Sequence, residues 1–437
     1  MIAILNEEQI RHAETEEIRC AIGAAHLAQN AWAARPAAER ARAIARIRPL
    51  LAAEATELAR LAAAVHERPI AEKIVSEVLP LLDACKFLAR VAQRVLRTKR
   101  FGAAGRPFWL YGSSFEVQRK PLGIVLIVSA GNYPLFLPGV QMLQALAAGN
   151  AVLLKPAEGT SAVVARFAAL IAGAGVPADL VQILPESPQT AHEAARLGVD
   201  KVIFTGSSEN GRDFLARLAR SNTPSVMELS GADTVYVRAD ADLALAASAI
   251  RFGSHLNGGD TCMAPQSVVV HREVAARFAE ALQREKISLR AIVRVRDDSE
   301  ALEIAAMDDH GLGAAIFSRD EISAREFAQH LTTGFVTIND IIVPTADPRL
   351  PFGGVRASGF GVTRGEEGLL EMTYPQAIAT RRTRFLPHLQ APSAYDAGFF
   401  AAFVELVHGR GFSRRFRALR ALLRIGRARM RSSQQAS

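Results

Sequence analysis

Cys262 stands in the segment Gly258-Gly259-Asp260-Thr261-Cys262-Met263-Ala264-Pro265, after a helix-like run and before the apolar run Ser267-Val268-Val269-Val270. A thiol on a loop between helix and strand can be reached by a small molecule and act as a nucleophile. One inside an apolar face fills core instead. Cys20 and Cys85 lie in helical patterns and read as core fillers. Upstream, Asn132 in Gly131-Asn132-Tyr133-Pro134 is either a turn former or a side-chain N–H donor to an oxyanion. Glu228 follows Ser225-Val226-Met227, and a carboxylate among apolar neighbours is raised in pKa and suited to proton abstraction. The rival reading for Glu228 is a paired surface glutamate.

Two further segments suit a dinucleotide. Phe204-Thr205-Gly206-Ser207-Ser208-Glu209-Asn210-Gly211 closes a strand pattern and opens a helix pattern. Gly206 permits the tight turn, and the helix start offers N–H groups and a positive dipole end to a pyrophosphate. The segment lacks Gly-x-Gly-x-x-Gly, so a plain strand-to-helix turn is the rival. Lys155 and Glu158 end another strand pattern, where ribose hydroxyls bind at the carboxyl edge of a sheet; a solvated strand end is the alternative.

The elements that must position these residues are legible as patterns. Residues 7–98 read as helices, with apolar residues such as Ile44, Ile47 and Leu51 at three- and four-residue spacing. Residues 108–111 and 115–118 read as a hairpin around Gly112-Ser113-Ser114. Strands are expected at 124–128, 151–154, 181–184, 202–204 and 234–237, with helices at 161–173, 190–197 and 211–220. The alternation resumes after Cys262, with strands at 267–270, 314–317, 336–338 and 376–380, and helices at 272–284, 298–306 and 321–331. Such alternation predicts parallel sheets covered on both faces.

Composition bounds the class. The chain has 437 residues, 49% hydrophobic and 22% charged, which suits two or three globular domains. Its three cysteines argue against a disulfide framework and for a reducing compartment. Met1–Leu5 run straight into Asn6-Glu7-Glu8 without a secretory pattern, and no apolar run approaches a membrane span. A cytoplasmic location is the expectation. The net charge of +8 belongs to one end: residues 410–437 hold nine arginines and no acid. The nearly neutral body gives no case for nucleic-acid binding. No metal site is expected.

The ordered set of motifs resembles the aldehyde dehydrogenase superfamily over about residues 20–380. It comprises Pro121-Leu122-Gly123, Asn132-Tyr133-Pro134, Gly149 through Glu158, Gly175-Val176-Pro177, Phe204-Thr205-Gly206-Ser207 with Gly211, and Glu228-Leu229-Ser230-Gly231. Gly259 with Cys262, Gly311-Leu312, Asn339, Pro351-Phe352-Gly353-Gly354 and Ser358-Gly359-Phe360-Gly361 complete it. The resemblance implies an α/β fold of two doubly wound parallel-sheet domains plus a small bridging β-hairpin. The implied division is a helical part at 1–106, a bridging hairpin at 107–120 and a cofactor domain at 121–230. A shortened thiol domain at 231–372, a bridging strand at 373–386 and a basic tail at 387–437 follow.

It further implies an oxidoreductase in which Cys262 attacks an aldehyde as a thiolate, giving a thiohemiacetal and then a thioester. Asn132 and the Cys262 N–H would hold the oxyanion, and Glu228 would activate water. Lys155 and Glu158 would bind the adenosine ribose; Gly206, Ser207 and Gly211 would form the pyrophosphate turn. The Glu158 carboxylate favours NAD, with NADP as the alternative. A homodimer is expected. Three departures stand out. The stretch from Cys262 to Pro351 is short and lacks a Glu-x-Phe-Gly-Pro segment. Asp260 stands where glutamine is usual, an added negative charge that would oppose a thiolate, and Ser230 replaces a usual glycine. A CoA-acylating relative and a non-catalytic, membrane-bound scaffold of the same fold are the competing expectations.

Arg417, Arg420, Arg424, Arg427 and Arg431 recur at helical spacing, and Phe416, Leu419, Leu423 and Met430, with Gly426, follow one residue earlier. That pattern makes an arginine stripe beside an apolar one, suited to an anionic membrane surface, with a helix packed on the body or a disordered end as rivals. With Leu135-Phe136-Leu137-Pro138 it suggests a hydrophobic aldehyde and a peripheral site at the inner face of a membrane.

Overall fold

A computed structural model describes residues 7–435 apart from 288, 383–385, 387, 388 and 390–392. The expected linker prolines Pro387 and Pro392 lie outside the described residues, as do the side chains of Met430 and Arg431. In chain order the strands are β1 Lys99–Phe101, β2 Ser113–Pro121, β3 Ile124–Val128, β4 Ala151–Lys155, β5 Val181–Ile183, β6 Lys201–Thr205 and β7 Ser225–Glu228. Then come β8 Thr234–Val237, β9 Ser267–His271, β10 Ala291–Val295, β11 Gly313–Phe317, β12 Phe335–Ile338, β13 Gly359–Phe360 and β14 Thr373–Arg381.

The first sheet has the order β13-β7-β6-β3-β4-β5, parallel except for β13, which runs antiparallel to β7. Its strands are Val/Ile/Leu-rich and buried on both faces, as parallel strands covered by helices must be. From β3 the chain winds outward to β4 and β5, then returns to β6 and β7 on the other side. The winding reverses between β3 and β6, and ligands of doubly wound sheets bind at the carboxyl ends beside such a reversal. Lys155 ends β4, Thr205 ends β6 and Glu228 ends β7, while Asn132 follows β3.

The second sheet is wholly parallel, β10-β9-β8-β11-β12. Alternate residues enter separate cores: Val235, Val237, Val268, Val270, Ala315 and Phe317 on one face, Tyr236, Val269, Ala314 and Ile316 on the other. This is the two-residue period of a strand covered twice. A third sheet has the order β1-β2-β14.

Two compact units divide the chain: residues up to 100 with 116–378, which hold both parallel sheets, and residues 101–115 with 379 onward. In the second unit the helices Asp396–His408 and Phe412–Gln435 form an antiparallel pair, close where Gly398 meets Ile425 and Gly426 meets Phe399. Trp109 packs edge-on against Phe403 there, ring centres 6.0 Å apart.

Three readings from sequence need correction. Phe108–Leu110 is a turn of 3-10 helix, not a strand, because Pro107 accepts a bond from the Leu110 N–H and Gly112 turns at φ 77°. β2 takes its partners from β1 and β14 instead. Cys20, read as a core filler, is exposed on the helix Glu7–Ala33. Residues 359–372, expected with the thiol domain, return to the first sheet: β13 pairs with β7, and Leu369 and Met372 join that core.

Candidate active site

The loop bearing Cys262 is built from a run of left-handed residues. After the helix Leu243–His255, Asn257, Gly258 and Gly259 have φ of 56°, 68° and 83°. The Arg68 guanidinium lies over Gly258, whose positive φ favours glycine. Asn257 is fully buried. Its Nδ2 donates to Asn132 O at 2.8 Å and to Asp260 O at 3.1 Å, which ties the thiol loop to the Asn132 loop. Tyr133 Oη and Thr261 Oγ1 form a second tie at 2.8 Å.

A buried ion pair anchors both loops. Lys73 and Glu77, each completely inaccessible, are 2.8 Å apart across a π turn at Ile74–Val78. Lys73 Nζ donates to Asn132 O at 3.2 Å and to Asn257 Oδ1 at 3.0 Å. Glu77 Oε2 accepts the N–H groups of Leu135 and Phe136 at 2.7 and 3.0 Å, capping the helix that follows Asn132. Such a fully bonded pair is costly to break from one side. In sequence, Lys73 and Glu77 look like an ordinary i,i+4 surface pair, so nothing singles them out. Asn132 Oδ1 accepts from the Tyr133 N–H at 3.0 Å, leaving its amide nitrogen as the outward donor end.

Cys262 is half-buried and lines a cavity of about 370 Å³. Leu79, Phe136, Leu137, Ile342 and Phe352 form apolar wall, and the side chains of Val75, Leu79, Phe252 and Val343 are exposed at its rim. Burial pushes the thiol up to about 12, with the Asp233 and Glu228 carboxyls acting the same way and the Arg364 guanidinium opposing them. The direction of this shift runs against the thiolate that the resemblance implies. Asp260, flagged in sequence, is exposed; the carboxyls that bear on the sulfur are Asp233 and Glu228. Alkylation of Cys262 by iodoacetamide, followed on its own peptide because Cys20 is exposed, should accelerate about tenfold per pH unit from pH 7 to 10. A plateau below pH 9 would contradict this.

Glu228 is buried at the end of β7. Its Oε1 accepts from Thr363 Oγ1, and its Oε2 from Thr205 Oγ1 at 3.3 Å and Gln141 Nε2 at 3.5 Å. Burial raises its pKa, while Thr363, Arg364 and Thr205 pull it back. The sequence reading of a raised carboxyl thus matches the environment found.

Asp233 was missed in sequence. It is buried, receives the Gly313 N–H at 3.1 Å, and burial raises it to about 8. The folded state therefore binds this proton more tightly than the unfolded chain, so stability falls as pH rises from about 4 towards 8. Asp233→Asn keeps the acceptor and removes the charge. It should raise unfolding free energy by about 2–4 kcal/mol at pH 8.5, after the cost of an unmatched amide, and far less at pH 5. Paired denaturant titrations at the two pH values measure this; equal effects would refute it.

Lys155 is buried at the end of β4, its pKa lowered by burial against the opposing pull of Glu186 and Glu158. Glu158 is exposed on the following turn. Ser207 caps the helix Ser208–Leu218, its hydroxyl accepting from Asn210 N at 3.2 Å. The Gly206 N–H donates to Glu228 O at 3.1 Å, so the turn and the carboxylate share one hinge of backbone. A Cβ at Gly211 would lie 2.4 Å from Leu229, which is why glycine lets that helix start sit close on the sheet. A lysine, an exposed carboxylate and a helix start at the carboxyl edge of the sheet fit a dinucleotide. Among the described residues no cluster of His, Cys, Asp and Glu suits a metal ion.

The aldehyde dehydrogenase family profile matches residues 7–291 and 287–378. The chain belongs to the aldehyde dehydrogenase family. The two matched stretches meet at 287–291, and the match stops at 378, where the second compact unit takes over. The 4,4'-diapolycopene aldehyde oxidase of Methylomonas sp is 30% identical over 410 aligned positions, covering 77% of each chain. The NAD(+) benzaldehyde dehydrogenase of Pseudomonas putida is 27% identical, covering 82% of this dehydrogenase and 87% of its own length. A crystal structure of an aldehyde dehydrogenase from Burkholderia cenocepacia superposes with TM-score 0.79 at 26% identity, over 86% of this chain and 92% of the other. An NAD-dependent relative from Sinorhizobium meliloti has the same fold, TM-score 0.80 at 23% identity, over 86% and 89%.

Proposed function

We propose that this dehydrogenase oxidises an apolar aldehyde to its carboxylic acid with NAD(P), through covalent attachment to Cys262. The carrying observation is a half-buried thiol in the wall of an apolar cavity, with Glu228 in electrostatic reach and hydrogen-bonded through its backbone to the Gly206 turn. In the first step Sγ adds to the carbonyl carbon, the C=O π pair moves to oxygen, and the thiol proton leaves to water. The Asn132 amide and the Cys262 N–H hold the oxyanion; one such donor is worth about 3–4 kcal/mol in the transition state. Lys155 and Glu158 would hold the adenosine ribose, and Gly206, Ser207 and Gly211 the pyrophosphate. The chemistry a bound NAD(P) supplies is acceptance of a hydride equivalent from the former aldehyde carbon. In deacylation Glu228 takes a proton from water, whose oxygen adds to the thioester, and Cys262 leaves as the acid departs. The carboxylate of Glu158 favours NAD over its 2′-phosphorylated form.

Apolar walls and an apolar rim support a hydrophobic substrate, and the relative named for a diapolycopene aldehyde points the same way. Incubation of the protein with NAD or NADP and aldehydes of graded length, followed by NAD(P)H absorbance, tests the reading. Reduction that grows with apolar length and prefers NAD is expected. No reduction with any aldehyde, together with no heat of NAD binding, would favour the scaffold reading. Product formed only with CoA would favour acyl transfer, which the presence of Glu228 argues against. A homodimer is part of the proposal, in line with dimeric relatives such as that of Rattus norvegicus; sedimentation reads it.

The second unit supports peripheral binding to an anionic membrane. Phe400, Val404, Phe412, Phe416, Leu419 and Leu423 are exposed beside the exposed Arg417, Arg420, Arg424 and Arg427. Gly426, read with the apolar stripe, instead packs against Phe399. No helix among the described residues is long and apolar enough to cross a membrane. Exposed aromatics with arginine suit the headgroup boundary, each arginine adding about 1 kcal/mol near an anionic surface. The full chain should float with phosphatidylserine vesicles and not with phosphatidylcholine vesicles, and lose flotation in high salt. Equal partitioning to both would remove the proposal.

A further inference from the structure

Arg364 carries three features that packing alone does not explain. It is 5% exposed, yet it lines the cavity that holds Cys262, and it is the one cation among that cavity's described lining residues. Its backbone stands at φ 61° and ψ 177°, a region that is essentially reserved for glycine. Its guanidinium is only partly satisfied. One nitrogen, Nη1, donates to Thr345 O, while Nε is sealed without a partner. The flat group lies against Phe352 at 4.0 Å and Phe136 at 5.4 Å from the ring centres. A buried charge with unused donors costs stability, and an apolar side chain of similar volume is commonly tolerated or better at such a place. Strain and a desolvated charge together at a reaction centre point to a function for the charge.

That function follows from what faces it. From β7 comes Glu228, and from the start of β8 comes Asp233; both carboxyls bear on Cys262. Lys73, near the Tyr133 ring, is already spent on Glu77, and Asp83 is exposed at the cavity rim. Arg364 is the cation that acts on both Cys262 and Glu228. The adjacent Thr363 donates to Glu228 Oε1, so one strained dipeptide supplies a hydrogen bond to the carboxylate and a positive charge to the whole pair. We infer that Arg364 is a positioning residue of the oxidation, a fixed cation in the substrate cavity that lets Cys262 and Glu228 carry negative charge when the reaction requires it. The inference rests on the roles proposed above for Cys262 and Glu228.

The test compares wild type, R364K and R364M in the absence of cofactor and aldehyde, by the rate at which iodoacetamide alkylates Cys262 between pH 7 and 10. R364M should react at least about tenfold more slowly at each pH, since the thiolate fraction falls with loss of the cation. R364K should recover to within about threefold. In turnover, the rise of kcat with pH should move to higher pH in R364M and return in R364K, while melting temperature holds or rises in R364M. Should R364M fail to fold, R364Q carries the same comparison, removing charge while keeping a planar polar end. Wild-type alkylation rates and an unmoved pH profile in the uncharged variant would overturn the inference. If wild type alkylates with the expected Arg364 dependence but reduces no NAD(P) with any aldehyde, the proposed reaction fails and the electrostatic assignment stands.

Discussion

Cys262→Ala lowers NAD(P)H formation by at least about 10⁴-fold while the protein remains folded and monodisperse. The size follows from the absence of a substitute. Cys85 is completely buried and held near 12 by burial, and Cys20 is exposed on the helix Glu7–Ala33. Without Sγ no covalent adduct forms, so the oxyanion that Asn132 is proposed to hold never develops. Stability should change little, because Cys262 is half-buried in a cavity wall and its removal deletes few packed atoms. The measurement is reduced-cofactor absorbance with the best aldehyde of the panel, alongside a melting curve. Residual activity within tenfold of wild type would transfer the nucleophile elsewhere.

Glu228→Gln separates the two halves of the reaction. Glutamine keeps an acceptor oxygen for Thr363 and turns its NH2 to the Thr205 hydroxyl, which can rotate to accept, so the site should hold its shape. Mixing enzyme with excess aldehyde and cofactor should then give one equivalent of reduced cofactor per Cys262, after which turnover slows by about 10²–10⁴-fold. Mass spectrometry of the stalled protein should find the acyl group on Cys262. In wild type, burial raises the Glu228 pKa, so the base is lost as pH falls through that raised value and deacylation slows on the acid side. The substituted protein should lose this acid limb. Steady turnover in E228Q without an accumulating thioester would reassign the base, with Asp233 the first alternative because it bears on the same sulfur.

The parts legible in sequence were those written in contiguous residues. Strands β3, β4, β6, β8, β9 and β11 are short apolar runs between helical patterns, and each formed where the pattern put it. Cys262, Glu228, Asn132 and the Gly206 turn were singled out by residue type on loops and strand ends, which is where doubly wound folds keep ligand contacts. The segment expected to be shortened coincides with the junction of the two matched stretches at 287–291.

What sequence by itself determined is therefore the fold class, the family and the set of groups able to do chemistry. What only the tertiary structure decided is their charge state and support. The sulfur was expected as a thiolate, and dehydration beside Asp233 and Glu228 pushes it toward the protonated form. Lys73, Glu77, Asn257, Asp233, Thr363 and Arg364 come from segments far apart in the chain, and no local pattern marks a side chain whose partner is 59 to 184 residues away. Solvation is a property of everything that surrounds a group in space. A residue's type fixes which proton it can lose, and only the packed neighbours fix how readily it loses it.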